Sequence, residues 1–75
     1  MIIEKMKDIF NNNSEVHFKI YTLEYTIKKD NDNVIIYADL YNGKKEIYNS
    51  LDELLNNFTI YNETLIENED RIIII

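Results

Sequence analysis

The chain has 75 residues, 45% of them hydrophobic and 29% charged, with no cysteine, no proline and a net charge of −6. A chain this short buries only roughly 60–65% of its unfolded surface, which leaves room for one core and one domain. The missing cysteines exclude a disulfide framework and a thiolate metal site, and the cations are too scattered among acids to favour direct contact with nucleic-acid phosphates.

Ile2, Ile3, Met6, Ile9 and Phe10 recur at helical spacing between charged residues, which predicts an amphipathic helix over residues 2–12 ended by Asn11-Asn12-Asn13. Charges interrupt the apolar positions, so the N-terminus reads as neither a signal peptide nor a membrane span, and the expected compartment is the cytoplasm. The Asn12-Asn13-Ser14 and Asn62-Glu63-Thr64 glycosylation matches are discounted on that ground. Val16, Phe18 and Ile20 alternate with His17, Lys19 and Tyr21, and Leu23, Tyr25 and Ile27 alternate with Glu24, Thr26 and Lys28. A period of two predicts two strands, joined at Tyr21-Thr22 although that pair has neither Gly nor Asn. Asp30-Asn31-Asp32-Asn33 is a turn cluster. Val34 to Tyr41 is a third strand with Val34, Ile36, Ala38 and Leu40 on one face and Ile35, Tyr37, Asp39 and Tyr41 on the other, both substantially apolar. Asn42-Gly43 fits a type I′ hairpin turn, with Lys44 to Asn49 as the return strand.

Ser50-Leu51-Asp52-Glu53 is a capping box, and Leu51, Leu54, Leu55 and Phe58 form the stripe of a second helix over residues 51–57. Residues 59–70 are either a short helical turn opened by Thr64, Leu65 and Ile66 or an acidic loop, and Arg71 to Ile75 is a β-branched run suited to a strand. The expected fold is α+β: a four-stranded antiparallel meander with an N-terminal helix and a capped second helix on one face, extended by a C-terminal strand. That last strand should turn two of its four isoleucines toward the helices and two toward the opposite face, beside Ile35, Tyr37 and Tyr41. Covering them by two-fold pairing predicts a homodimer through the C-terminal isoleucines or the Ile35/Tyr37/Tyr41 face.

His17 is the only histidine, and alternation sets it on the polar face of a strand, so no catalytic residues are assigned. Asp30-Asn31-Asp32-Asn33 opens like a calcium loop, but Ile35 stands where glycine is needed and no carboxylate follows at the twelfth position. Glu67, Glu69 and Asp70 read as a solvated acidic face rather than cation ligands, and neither metal nor cofactor is expected. Charge is polarised: residues 1–45 carry equal numbers of acids and lysines, while seven acids after Lys45 face Arg71 alone. Six tyrosines offer recognition surface, with Tyr25 in phase with the core and Tyr37 and Tyr41 on the second face of the central strand, where either the C-terminal segment or a partner covers them.

Ile, Asn, Lys and Tyr make up half the chain, the bias of AT-rich coding in low-GC bacteria, their phages and plasmids. The stretch Asp52-Glu53-Leu54-Leu55-Asn56-Asn57-Phe58-Thr59-Ile60, with Asn11-Asn12-Asn13-Ser14-Glu15-Val16-His17-Phe18 before the first strand, resembles short uncharacterised proteins of low-GC Gram-positive bacteria and their mobile elements. The resemblance covers residues 2–60 and implies the order helix, meander, capped helix, with no catalytic residues. Those proteins end more helically, and Arg71-Ile72-Ile73-Ile74-Ile75 departs from them.

The expected function is a non-enzymatic inhibitor of the anti-CRISPR or anti-restriction type, carried by a phage or mobile element. Its acidic C-terminal third, through Glu53, Glu63, Glu67, Glu69 and Asp70 with Tyr37 and Tyr41, would occupy the basic nucleic-acid groove of a protein partner. The alternative is a bacterial accessory protein that dimerises and regulates another protein.

Overall fold

The computed structural model describes residues 1–39 and 45–75. Helix α1 (Ile2–Asn13) leads into β1 (Glu15–Ile20), β2 (Leu23–Asp30), β3 (Asn33–Ala38) and β4 (Glu46–Tyr48), followed by helix α2 (Leu51–Asn57). A small hairpin, β5 (Thr59–Ile60) and β6 (Glu63–Thr64), precedes a 3₁₀ turn over Glu69–Arg71 and the closing strand β7 (Ile72–Ile74). The main sheet is antiparallel with order β4-β3-β2-β1-β7.

Each element follows from its residues. Ile3, Met6 and Phe10 form the buried stripe of α1, which stops where Ser14 takes a left-handed conformation and returns its N–H to the Phe10 carbonyl. Ser50 caps α2 by accepting the Glu53 N–H at 3.1 Å. Alternation then fills one face of the sheet with Val16, Phe18, Ile20, Ile27, Val34, Ile36 and Ile72, against Leu54, Leu55, Phe58 and α1. Tyr25 joins this face, stacked on Phe18 at 5.5 Å and edge-on to Phe58 at 5.8 Å. Both helices therefore cover a single face, while on the other Thr26 and Ile35 are also buried.

From β3 onward the strands match the expected ones to different extents. The third strand is described over Asn33–Ala38, and Asp39 still donates its N–H to the Glu24 carbonyl at 2.9 Å while its carboxylate accepts the Thr26 hydroxyl; Leu40, near the end of the expected strand, lies outside the described residues. The return strand is confined to Glu46–Tyr48, and the Asn42-Gly43 turn and Tyr41 lie outside the described residues. The C-terminal strand forms, with Ile72 buried and Ile73 exposed, but it pairs with β1. Two strands therefore separate it from β3, and polar cross-strand neighbours such as Lys19 and Glu24, or His17 and Thr26, stand between Ile73 and the Ile35/Tyr37 pair. A single continuous outer patch of those residues does not form.

Candidate partner-binding surface

The segment left open between helical turn and loop is an ordered structure built on one side chain. Asn68 is fully buried, and its Nδ2 donates to the carbonyls of Glu63 and Thr64 at 3.2 and 3.0 Å. Its Oδ1 accepts from Arg71 at 3.3 Å and lies 3.5 Å from the Tyr21 hydroxyl. Around it, Thr64 and Glu67 cap one another: Glu67 Oε1 takes the Thr64 N–H at 2.8 Å while Thr64 Oγ1 takes the Glu67 N–H at 3.1 Å. Leu65, within that turn, is fully buried in the core.

Most of the acids assigned to partner contact have internal tasks. Glu69 Oε2 accepts the Ile3 N–H at 3.1 Å, so a carboxylate from the far end of the chain supplies the cap that Met1 does not give α1. Glu63 lies 3.8 Å from Arg71. Glu53 sits in the first turn of α2, where its charge acts on Tyr48. Burial, the 2.9 Å hydrogen bond to Glu46 and then the charges of Glu46 and Glu53 push that phenol up to about 12. Asp70 is exposed and makes no ion pair among the described residues. The structure thus brings Glu63, Glu67, Glu69 and Asp70 together on one short segment and leaves Glu53 on α2.

Two tyrosines that the sequence reading passed over stand out beside this segment. The β1–β2 and β5–β6 connections are both two-residue turns, and each places a tyrosine in the left-handed region: Tyr21 with φ 56° and Tyr61 with φ 52°. Asn62 follows at φ 67°, the positive pair that a type I′ turn demands. Asn31, at the matching place in the β2–β3 turn, tolerates such a φ, whereas an aromatic residue there is uncommon. The two rings meet edge to face at 5.2 Å, and Tyr61 remains 72% exposed and Tyr21 44% exposed. Their sequence signal was the same in both cases: a tyrosine opening a two-residue gap between alternating segments with no glycine to ease it.

The face of the sheet opposite the helices carries a second polar group. Thr26, 2% exposed, donates its hydroxyl to Asp39 at 2.7 Å and meets His17 Nδ1 at 2.9 Å, while His17 Nε2 lies 2.9 Å from Glu15. The single Thr26 proton is spent on Asp39, so both ring nitrogens of His17 face acceptors. This row joins β1, β2 and the end of β3, and no serine or cysteine nucleophile stands on it. Tyr37 lies farther along the same face, beneath Lys45 at 5.8 Å. Among the described residues, no three His, Asp or Glu side chains gather as a metal-binding set, and no helix is long and apolar enough to cross a membrane.

No family model, curated protein or solved structure matches the chain.

Proposed function

We propose that the chain is a non-catalytic binding protein whose contact surface is the Tyr21/Tyr61 pair rimmed by the acids of residues 63–70. The observation that carries this reading is the strain at Tyr61. A bulky residue with positive φ costs on the order of 1 kcal/mol where Asn or Gly would cost nothing, and the ring that brings this cost stays mostly in water. A rigid aromatic held out from a tight turn is the form that energetically dominant contact residues take at protein interfaces. Glu67 and Asp70 beside it favour a basic partner, and the reading extends to an inhibitor, of phage or mobile-element origin, that fills the nucleic-acid groove of a host protein.

The test is comparative capture from a low-GC Gram-positive lysate with three baits: the native chain, Tyr21→Asn/Tyr61→Asn, and Glu67→Gln/Asp70→Asn. The reading expects a basic nucleic-acid-binding protein held by the native bait, released by added DNA or salt, and lost from both variants. Capture that ignores both sets of substitutions rejects it.

A further inference from the structure

Where α1 lies beside the edge strand β7, the two enclose a groove of about 570 Å³ lined by Ile2, Lys5, Asp8, Ile9 and the isoleucines of β7. We propose that a second copy of this chain seats in that groove, giving a two-fold dimer in which β7 pairs with β7 and α1 with α1. The interface uses none of the Tyr21/Tyr61 surface, so either reading can fail while the other stands.

The backbone of β7 supplies the first part of the argument. Ile75 donates its N–H to the His17 carbonyl at 3.1 Å, and the register sets Ile73 opposite Lys19. In an antiparallel ladder alternate residues point their amides to opposite sides, so Ile72 and Ile74 turn theirs to the outer edge. The Ile72 N–H already goes to the Glu69 carbonyl. The Ile74 N–H and the carbonyls of Ile72 and Ile74 remain on the edge, so that an acceptor, the Ile72 carbonyl, and a donor, the Ile74 amide, flank Ile73. A two-fold axis through Ile73 sets the Ile74 N–H of each copy against the Ile72 carbonyl of the other, and it brings together the two Ile73 side chains, each 60% exposed in the single chain.

The helix supplies the second part. α1 begins beside the 3₁₀ turn that leads into β7, where Ile3 meets Glu69, and it ends where β1 starts. Because β7 runs antiparallel to β1, α1 and β7 point the same way, and one axis can relate both to their copies. An axis crossing α1 between Lys5 and Asp8 lays the two helices antiparallel, with Lys5 opposite Asp8 of the second copy and Ile2 toward Ile9 of the second copy. Both charged residues are exposed, and neither forms an ion pair among the described residues. The same patch thus carries its own complement, as a two-fold interface requires, and an unpaired apolar edge strand is the feature that most needs a cover.

Light scattering of the full chain across micromolar to millimolar concentrations, with sedimentation for the affinity, tests this. The native chain should reach twice the 9.0 kDa chain mass. Lys5→Asp and Asp8→Lys should each weaken the dimer at least about tenfold by setting like charges face to face at both symmetric contacts. The two reversals move the net charge in opposite directions, so a general charge effect cannot produce both losses. The Lys5→Asp/Asp8→Lys double variant should regain the native affinity. Circular dichroism will report that these exposed substitutions leave the fold in place. A mass that stays at one chain throughout overturns the proposal, and so does a dimer indifferent to either reversal or not restored by the pair.

Discussion

Residues 1–39 fold around apolar side chains that reach one face at regular intervals, whereas residues 59–71 send only Ile60 and Leu65 into the core and are held together largely by polar atoms. In the first region Val16, Phe18, Ile20 and Ile27 lie in phase with Met6 and Phe10 of α1, and hydrogen bonding follows from the ladders. In the second, Asn68 joins the carbonyls of Glu63 and Thr64 to Arg71, and the acids cap amides close by and far along the chain. The contrast teaches that a run of acids in a small domain can be internal structure. A carboxylate satisfies amides where the chain lacks regular ladders to do so.

The comparison is best broken from its apolar side. Phe18→Ala removes a fully buried ring that stacks on Tyr25, and it should cost about 3–5 kcal/mol in urea-induced unfolding. A loss near 1 kcal/mol would mean that the sheet face is not the main source of stability. Asn68→Ala probes the polar side: it removes the side-chain donors to the Glu63 and Thr64 carbonyls and the acceptor for Arg71 from a fully buried position, leaves the Thr64 carbonyl only the backbone N–H of residue 68, and should cost about 1–3 kcal/mol. Hydrogen exchange sharpens that result, because the amides of residues 63–71 should open in the variant while those of β1 and β2 keep their protection. Uniform loss of protection would show that the two regions are one cooperative unit.

The same division explains what could be read in advance. Period-two alternation and the Ser50 capping box carry their meaning locally, so α1, β1, β2 and α2 were legible to within a few residues. The C-terminal strand was legible from four isoleucines, but its neighbour was not. Pairing with β1 rather than with the far edge depends on where the 59–71 segment carries the chain. That segment's organisation rests on one buried Asn making contacts to both sides of itself, and nothing in its composition separates it from a surface Asn. Tyr21 and Tyr61 were hidden for a related reason: a tyrosine in a left-handed turn violates the preference by which turns are recognised.

Glu69→Gln sharpens the contrast at its most distant contact. The amide can still accept from Ile3 N–H, so the substitution removes only the interaction of the charge with the start of α1, about 0.5 kcal/mol. The difference from the native chain should shrink as salt is added, since this end of the helix is only partly buried. A loss of about 2 kcal/mol or more that is independent of salt would instead assign Glu69 a packing task.

The smallest expected effect is the most informative, and it concerns Tyr61. Replacing it with Asn removes the edge-to-face contact with Tyr21, worth about 0.5–1.5 kcal/mol, and also removes the penalty of holding an aromatic residue at positive φ, of similar size. Asn keeps the turn without the added chain entropy that glycine would bring to the unfolded state. The two changes oppose one another, so Tyr61→Asn should unfold within about 0.5 kcal/mol of the native chain by urea titration. Tyr61→Val is the control: it loses the ring and keeps an unfavourable φ for a β-branched side chain, so both changes act in the same direction and the loss should exceed about 1 kcal/mol. Near-neutral Asn with destabilising Val is the signature of a ring that the fold does not need. If Asn costs as much as Val, Tyr61 is a structural residue of the C-terminal region, and the contact surface proposed for this chain loses its main support.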